Sequence, residues 1–201
     1  EAMEKALNIL NGDKGNKLIN IAIFHYLLGY IHPFYDGNGR MNRFISSYML
    51  SKELNYLISY GLSVVIKENR NRYNKLFKIT NDKLNRGDLT PFVTSFLEFI
   101  KTSLLHMNTK LREKEEKLDY YEAILENKYR GKPKYWTLLY ILLQNELFGF
   151  EGLKMLDLEA LTSIGYTAIK NVLELNQDII KTNQIGKRIF YTMDLEALDK
   201  H

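Results

Sequence analysis

Nine residues, "HPFYDGNGR" from His32 to Arg40, bring together an imidazole, a carboxylate, a Gly-Asn-Gly run and a guanidinium, and Arg43 follows shortly after. These are the groups that handle phosphate. Glycines at 37 and 39 have no Cβ to obstruct an anion, so the amides of Gly37, Asn38, Gly39 and Arg40 can line a concave nest. Arg40 and Arg43 are spaced to project over one helical face, where two guanidiniums can hold outer phosphates. Asp36, just before the nest, suits a divalent cation that bridges phosphates, because Mg²⁺ typically takes one or two carboxylates and several waters. His32 supplies an imidazole, a side chain suited to accepting a proton near neutral pH. Nothing in the stretch is itself a nucleophile, so the expected chemistry is attack by an incoming hydroxyl on a bound phosphorus.

Blander readings compete for each piece alone. Gly-Asn-Gly fits a type I′ hairpin turn, and a histidine before proline is commonly a capping residue. No strand pattern flanks the turn, however. The stretch also matches neither the Walker A motif, which ends in Gly-Lys-Ser/Thr, nor the dinucleotide fingerprint, which needs a preceding strand.

The elements around it must be helices. Leu18, Ile21, Phe24, Leu28 and Ile31 recur at three- and four-residue spacing, Pro33 stops that helix, and Met41, Phe44, Ile45, Tyr48 and Met49 restore the period. The motif is therefore a loop opening onto a helix N-terminus, where free amides and the helix dipole favour an anion. Farther along, "KENRNRYNKLFKITNDKLNRG" reads as helical with Tyr73, Leu76, Phe77, Thr80 and Leu84 on one side. A long helix follows, with Thr90 as N-cap and Pro91 at its first position; its "KLREKEEK" run reads as a solvated face.

The run "HPFYDGNGRMNR" resembles the signature of the Fic (filamentation induced by cAMP) family, HPFx[D/E]GNGRxxR, at every fixed position. The resemblance covers about residues 1 to 100. It includes "NRNRYNKL", which is similar to the family's Arg-x-x-Tyr-Tyr-x-x-Leu stretch, with Asn74 in place of the second aromatic. It implies a mainly α, Fic-type helical bundle and a protein adenylyltransferase that moves AMP from ATP to a Ser, Thr or Tyr hydroxyl of a target protein, with Mg²⁺. Carried across, His32 is the general base, Asp36 the metal ligand, and Gly37, Asn38 and Gly39 the anion hole. Arg40 and Arg43 hold the outer phosphates, Tyr73 lies on the adenine side, and Phe34 anchors the loop in the core. Retention of Asp36 makes relatives that transfer other groups less similar. The family's inhibitory [S/T]xxxE[G/N] motif has no match between Glu1 and His201, and it and the target-docking flap are expected upstream of Glu1.

Near "RGKPKY" the texture changes, which places a boundary between a core at 1–130 and a module at 131–201. "MLDLEALTSIGYTAIKNVLEL" reads as two short helices around Gly165, and "DIIKTNQIGKRIFYTMD" alternates like a β-hairpin. That order is a small winged helix-turn-helix domain. Such a module can bind DNA or a protein, including a second copy of the chain. The stretch read as its recognition helix offers Lys170 and also carries Glu174, with Lys181, Lys187 and Arg188 on the wing. The net charge of +4 lies in the first part, since residues 132–201 carry −1.

The chain has 201 residues, 45% of them hydrophobic, and no cysteine, which excludes disulfides and thiolate metal sites and favours a cytoplasmic protein, while the Fic resemblance implies a bacterial-type one. No stretch reads as a membrane span. "EAMEK" opens with a helix already under way, so a fragment is expected. His25 lies two helical turns before His32, whereas His106 and His201 have no spaced partners, and zinc is not expected. Two further readings stay open: a nucleotide-sensing, DNA-binding regulator of transcription or of a toxin–antitoxin pair, and an enzyme removing AMP from a modified target. Intact His32 favours the transferase, because a sensor needs the nest and arginines but no base.

Overall fold

The computed structural model describes residues 1–12 and 15–200. The elements run α1 (Ala2–Asn11), α2 (Lys17–Ile31), α3 (Asn38–Glu53), α4 (Tyr56–Glu68), α5 (Arg70–Thr80), a short 3₁₀ turn at Lys83–Asn85, and α6 (Thr90–Lys128). They continue with α7 (Pro133–Phe148), α8 (Met155–Thr162), α9 (Tyr166–Leu175), the strands β1 (Ile180–Ile185) and β2 (Arg188–Met193), and α10 (Leu195–Leu198). The chain is mainly α with one antiparallel hairpin, as its periodicities require. No described helix is long and apolar enough to cross a membrane.

Two compact units divide the chain, Glu1–Lys110 and Leu111–His201, and the division falls inside α6. The change of texture near residue 131 falls instead at the turn between α6 and α7. His201, considered above as a metal ligand, lies outside the described residues.

In the first unit, Asn16 caps α2 by accepting the Leu18 N–H at 2.9 Å, and the helix then buries Ile21, Phe24, His25 and Leu28. These pack with Leu62, Val65 and Ile66 of α4, Leu76 of α5, and Phe92, Phe96 and Phe99 of α6. Two details depart from the sequence reading. α6 begins at Thr90 itself, whose N–H is taken by the Asp88 carboxylate at 2.9 Å, so the cap lies earlier than Thr90. The helix expected over "KENRNRYNKLFKITNDKLNRG" breaks at Asn69 and ends at Thr80, and Leu84, placed on its apolar side, is 90% exposed. The Asp82 side chain accepts the Leu84 N–H at 2.8 Å, a local turn that competes with continuing the helix.

His25 sits fully buried where four helices of this unit meet. Its Nδ1 bonds Ser46 Oγ of α3 at 2.7 Å, its Nε2 bonds Tyr73 Oη of α5 at 2.8 Å, and its ring lies 4.5 Å from that of Phe96 on α6. Its backbone carbonyl accepts from Asn42 Nδ2 of α3 at 2.7 Å. A neutral imidazole has one donor and one acceptor, so one hydroxyl donates and the other accepts.

In the second unit, α7 begins with Pro133 and buries Leu138, Leu139, Leu142 and Leu143 against Leu158, Ile169 and Val172. β1 and β2 pair from Ile180 with Met193 to Ile185 with Arg188. Two short helices followed by a hairpin is the order read from the sequence. Tyr129 Oη closes on Asn176 Oδ1, tying the end of α6 to the end of α9.

Burial first, and the Arg43 charge second, lower the His25 pKa from 6.5 to about 3. Between those values the unfolded chain binds more protons than the folded one, so stability is full above about pH 6.5 and falls as pH drops. The loss is at most about 1.4 kcal/mol per pH unit from this group. Urea unfolding at pH 7.5, 6 and 5 is expected to show that decline, and His25→Asn, less stable at pH 7.5, is expected to show a flatter one. Equal pH slopes in the two proteins would remove His25 as the source.

Candidate functional site

α2 stops at His32, which takes a left-handed conformation (φ 51°) while its N–H still bonds Leu28 O at 3.1 Å. Histidine is among the few non-glycine types found there with some frequency, and Pro33 prevents any helical continuation. The loop then closes on Asn38, the first residue of α3. Asn38 is only 5% exposed; its Oδ1 accepts the Phe34 N–H at 3.0 Å and its Nδ2 reaches Phe34 O at 2.5 Å.

These two bonds fix which end of the Asn38 amide is nitrogen. The same Nδ2 lies 3.2 Å from His32 Nδ1. Asn38 thus donates to Nδ1, and the neutral ring carries its own proton on Nε2.

Gly37 caps α3 with φ 81°, and Met41 N–H makes the first helical bond to Gly37 O at 2.9 Å. The amides of Asn38, Gly39 and Arg40 precede that bond, so they have no intrahelical acceptor. Asp36 Oδ1 accepts the Gly37 N–H at 2.6 Å, and Oδ2 pairs with Arg40 Nη2 at 3.3 Å. Both side chains of that pair are exposed, so it holds Arg40 weakly.

Beside this helix end opens a cleft of about 570 Å³, lined among others by Gly39, Arg43, Lys67, Arg70, Tyr73 and Asn74. Arg43 lines the cleft, while Arg40, three residues before it on α3, is paired with Asp36. Tyr73 has two attachments: its ring borders the cleft and its hydroxyl is held by His25, with burial pushing its pKa up to about 12. His32, Asp36, Gly37 and Asn38 form the adjoining loop. Phe34, expected in the core, is 45% exposed, because Asn38 anchors its backbone and leaves the ring free of that duty.

Lys67 and Arg70 were not singled out from sequence, and Asn74 was noted only as a departure from the family's aromatic pair. A signal existed, since Arg70, Tyr73 and Asn74 stand at i, i+3 and i+4 on α5 and must share a face. Lys67 sits across the α4–α5 break, which periodicity did not reveal. His25 belongs to the packing and not to the cleft.

The sequence model of the Fic/DOC family matches residues 1–50. The chain is 33% identical over 94 residues to "Protein adenylyltransferase Fic" of Drosophila grimshawi, covering 45% of this chain and 18% of that protein. The Drosophila yakuba protein of the same name is 32% identical over 93 residues, covering 46% and 17%. The chain thus spans less than a fifth of the length of these curated relatives. The crystal structure of a Fic family protein from Desulfovibrio desulfuricans G20 superposes with a TM-score of 0.49 at 19% identity, over 96% of this chain and 54% of that one.

The two glycines at the start of α3 should respond oppositely to alanine. Gly37→Ala forces an L-residue to φ 81° and is expected to cost about 1–2 kcal/mol in urea unfolding. Gly39 is helical, so Gly39→Ala should be neutral to stabilising by up to about 1 kcal/mol. Its new Cβ would stand 3.4 Å from Arg43 Nη1, beside the space where an anion bound to the helix-end amides would sit if they face the cleft. Calorimetry with tripolyphosphate is expected to show about tenfold weaker binding for Gly39→Ala. Unchanged affinity would mean that those amides do not face the anion.

Proposed function

We propose that the first unit binds ATP and transfers AMP to a hydroxyl side chain of a target protein. The observation that carries the reading is the junction of the His32–Asn38 loop with a cleft holding Arg43, Lys67 and Arg70 and lined by no carboxylate among the described residues. The adenylyltransferase names of the Drosophila relatives support the same activity.

In this reading the helix-end amides and Arg43 hold the phosphates next to His32, and Lys67 and Arg70 extend the cationic wall for a polyphosphate. Tyr73 and Asn74 border the cleft where the rest of the nucleotide lies. The attacking hydroxyl oxygen forms a bond to the α-phosphorus, the bond to the β-phosphate oxygen breaks, and pyrophosphate leaves. The proton of that hydroxyl goes to His32. Its ring lone pair is shared with Asn38 at 3.2 Å, the long end of hydrogen-bond distances, so release of that contact frees Nδ1 as acceptor at small cost.

Among the described residues no cluster of three or more His, Cys, Asp or Glu is present. A single carboxylate fits Mg²⁺ only as an ion completed by phosphate oxygens and water, and Asp36 can serve once it leaves its weak pair with Arg40. Bound there, Mg²⁺ would neutralise phosphate charge. Residues 131–201 are read as a winged helix-turn-helix module accompanying this core.

The test is label transfer by the purified chain with Mg²⁺ and a cell lysate as source of targets, using α-³²P-ATP and γ-³²P-ATP in parallel. Label from the α position alone is expected. His32→Gly keeps the left-handed conformation without strain, so it should fold at least as stably while losing label by about 10²-fold or more, the usual worth of a general base. Label from the γ position, or full transfer by His32→Gly, would overturn the assignment; nucleotide binding without transfer would favour the sensing role.

A further inference from the structure

The second unit has a sheet edge that its own chain covers only in part. On the side of β2 away from β1, Tyr191 exchanges both backbone bonds with Leu153: its N–H reaches Leu153 O at 2.8 Å, and Leu153 N–H reaches its carbonyl at 3.0 Å. Bonding direction alternates along an antiparallel strand. Ile189 therefore points its N–H and C=O to the same outer side as Tyr191. There the chain has already turned away at Lys154 to begin α8, so Leu153 fills one position of the edge and the next one stays open.

That open position has a defined chemistry. A cleft of about 350 Å³ runs along it, lined by Lys154, Leu156, Tyr166, Lys187, Arg188 and Ile189 among others, and no carboxylate of the described residues lines it. Leu156 is 75% exposed and Tyr166 54%, an apolar floor with three cations around it. The Asp157 carboxylate is engaged by the Lys154 backbone N–H at 2.9 Å, and Lys187 and Arg188 form no ion pair among the described residues. Two neighbouring cations of this unit are paired, Lys170 with Glu174 at 3.6 Å and Lys181 with Asp194 at 2.8 Å.

Nucleic acid is the weaker match for this surface. Its backbone gains nothing from Leu156 and Tyr166, three cations neutralise few phosphates, and the one cation of α9 is held by its own Glu174. A peptide uses every feature: backbone groups for the open edge, apolar side chains for the floor, and carboxylates for the rim.

We propose that the outer edge of β2 at Ile189 binds an extended acidic segment of a partner protein by strand addition. The segment pairs its backbone with the N–H and C=O of Ile189 as a continuation of Leu153. Alternate side chains then fall on one face, so an apolar residue enters against Leu156 and Tyr166 while carboxylates meet Lys154, Lys187 and Arg188.

The probe is a phage-displayed library of random dodecapeptides selected on the full chain. Recovered peptides are expected to alternate Asp or Glu with Val, Ile or Phe. The best of them, made synthetically and followed by fluorescence anisotropy, should bind at least about tenfold more weakly to the double variant Lys187→Glu/Arg188→Glu. Lys187 is exposed in the hairpin turn and Arg188 exposed at the start of β2, and circular dichroism verifies that the variant stays folded. Hydrogen exchange at the Ile189 amide should slow in the complex, a change that loose charge attraction would not cause. The proposal is overturned if selection yields no acidic-apolar pattern, if the double variant binds equally, or if Ile189 exchange is unaltered. Binding of a labelled DNA duplex that no selected peptide displaces would also overturn it, in favour of a nucleic-acid surface.

Discussion

The bonds of one buried histidine fix the site's geometry. His25 stands on α2 and holds α3 through Ser46 and Asn42 and α5 through Tyr73, while its ring packs on Phe92 and Phe96 of α6. The cleft's parts hang on these same helices: His32 ends α2, the glycine-rich turn begins α3, and Arg70, Tyr73 and Asn74 line α5. A polar hub is a costly way to join helices, because any partner removed leaves a desolvated group worth about 1–3 kcal/mol. In return the bonds have direction, and apolar packing alone does not fix how far one helix slides along another.

A second polar residue does for the loop what His25 does for the helices. Asn38 satisfies both backbone groups of Phe34 and still presents an N–H to His32, so one side chain sets the loop's curvature and the imidazole's tautomer together. This explains why the Phe34 ring need not be buried. It also explains how His32 can persist at φ 51°, a conformation unfavourable for most side chains, since the helix end behind it and the Asn38 bridge ahead over-determine its position.

Much of this was legible in the sequence. Three- and four-residue apolar spacing located α2 and α3, Pro133 and the glycines marked the turns of the second unit, and the density of chemical groups in "HPFYDGNGR" marked the loop. What periodicity could not supply was direction. Arg40 and Arg43 share a helical face by count, but count does not reveal that Arg40 has Asp36 at i−4 as a partner while Arg43 lines the cleft. The end of α5 was misjudged for a similar reason, because Asp82 forms a local turn that apolar spacing does not register. Lys67 was invisible because it reaches the cleft from beyond a helix break at Asn69, and only the fold brings the two sides together.

The cleft gathers Arg43, Lys67 and Arg70 with no lining carboxylate, while the Arg43 charge also bears on His25 and adds to the burial that keeps it neutral. Three like charges facing one space raise the energy of the empty folded state, and the helix-end amides of α3 add to the same positive potential. The cations come from separate elements, Arg43 from α3, Lys67 from α4 and Arg70 from α5, whose packed core holds their backbones around one space. In the proposed function, a polyanion entering the cleft would relieve that repulsion and meet donors already in place, so the electrostatic cost of the empty cleft would return as affinity for one class of ligand.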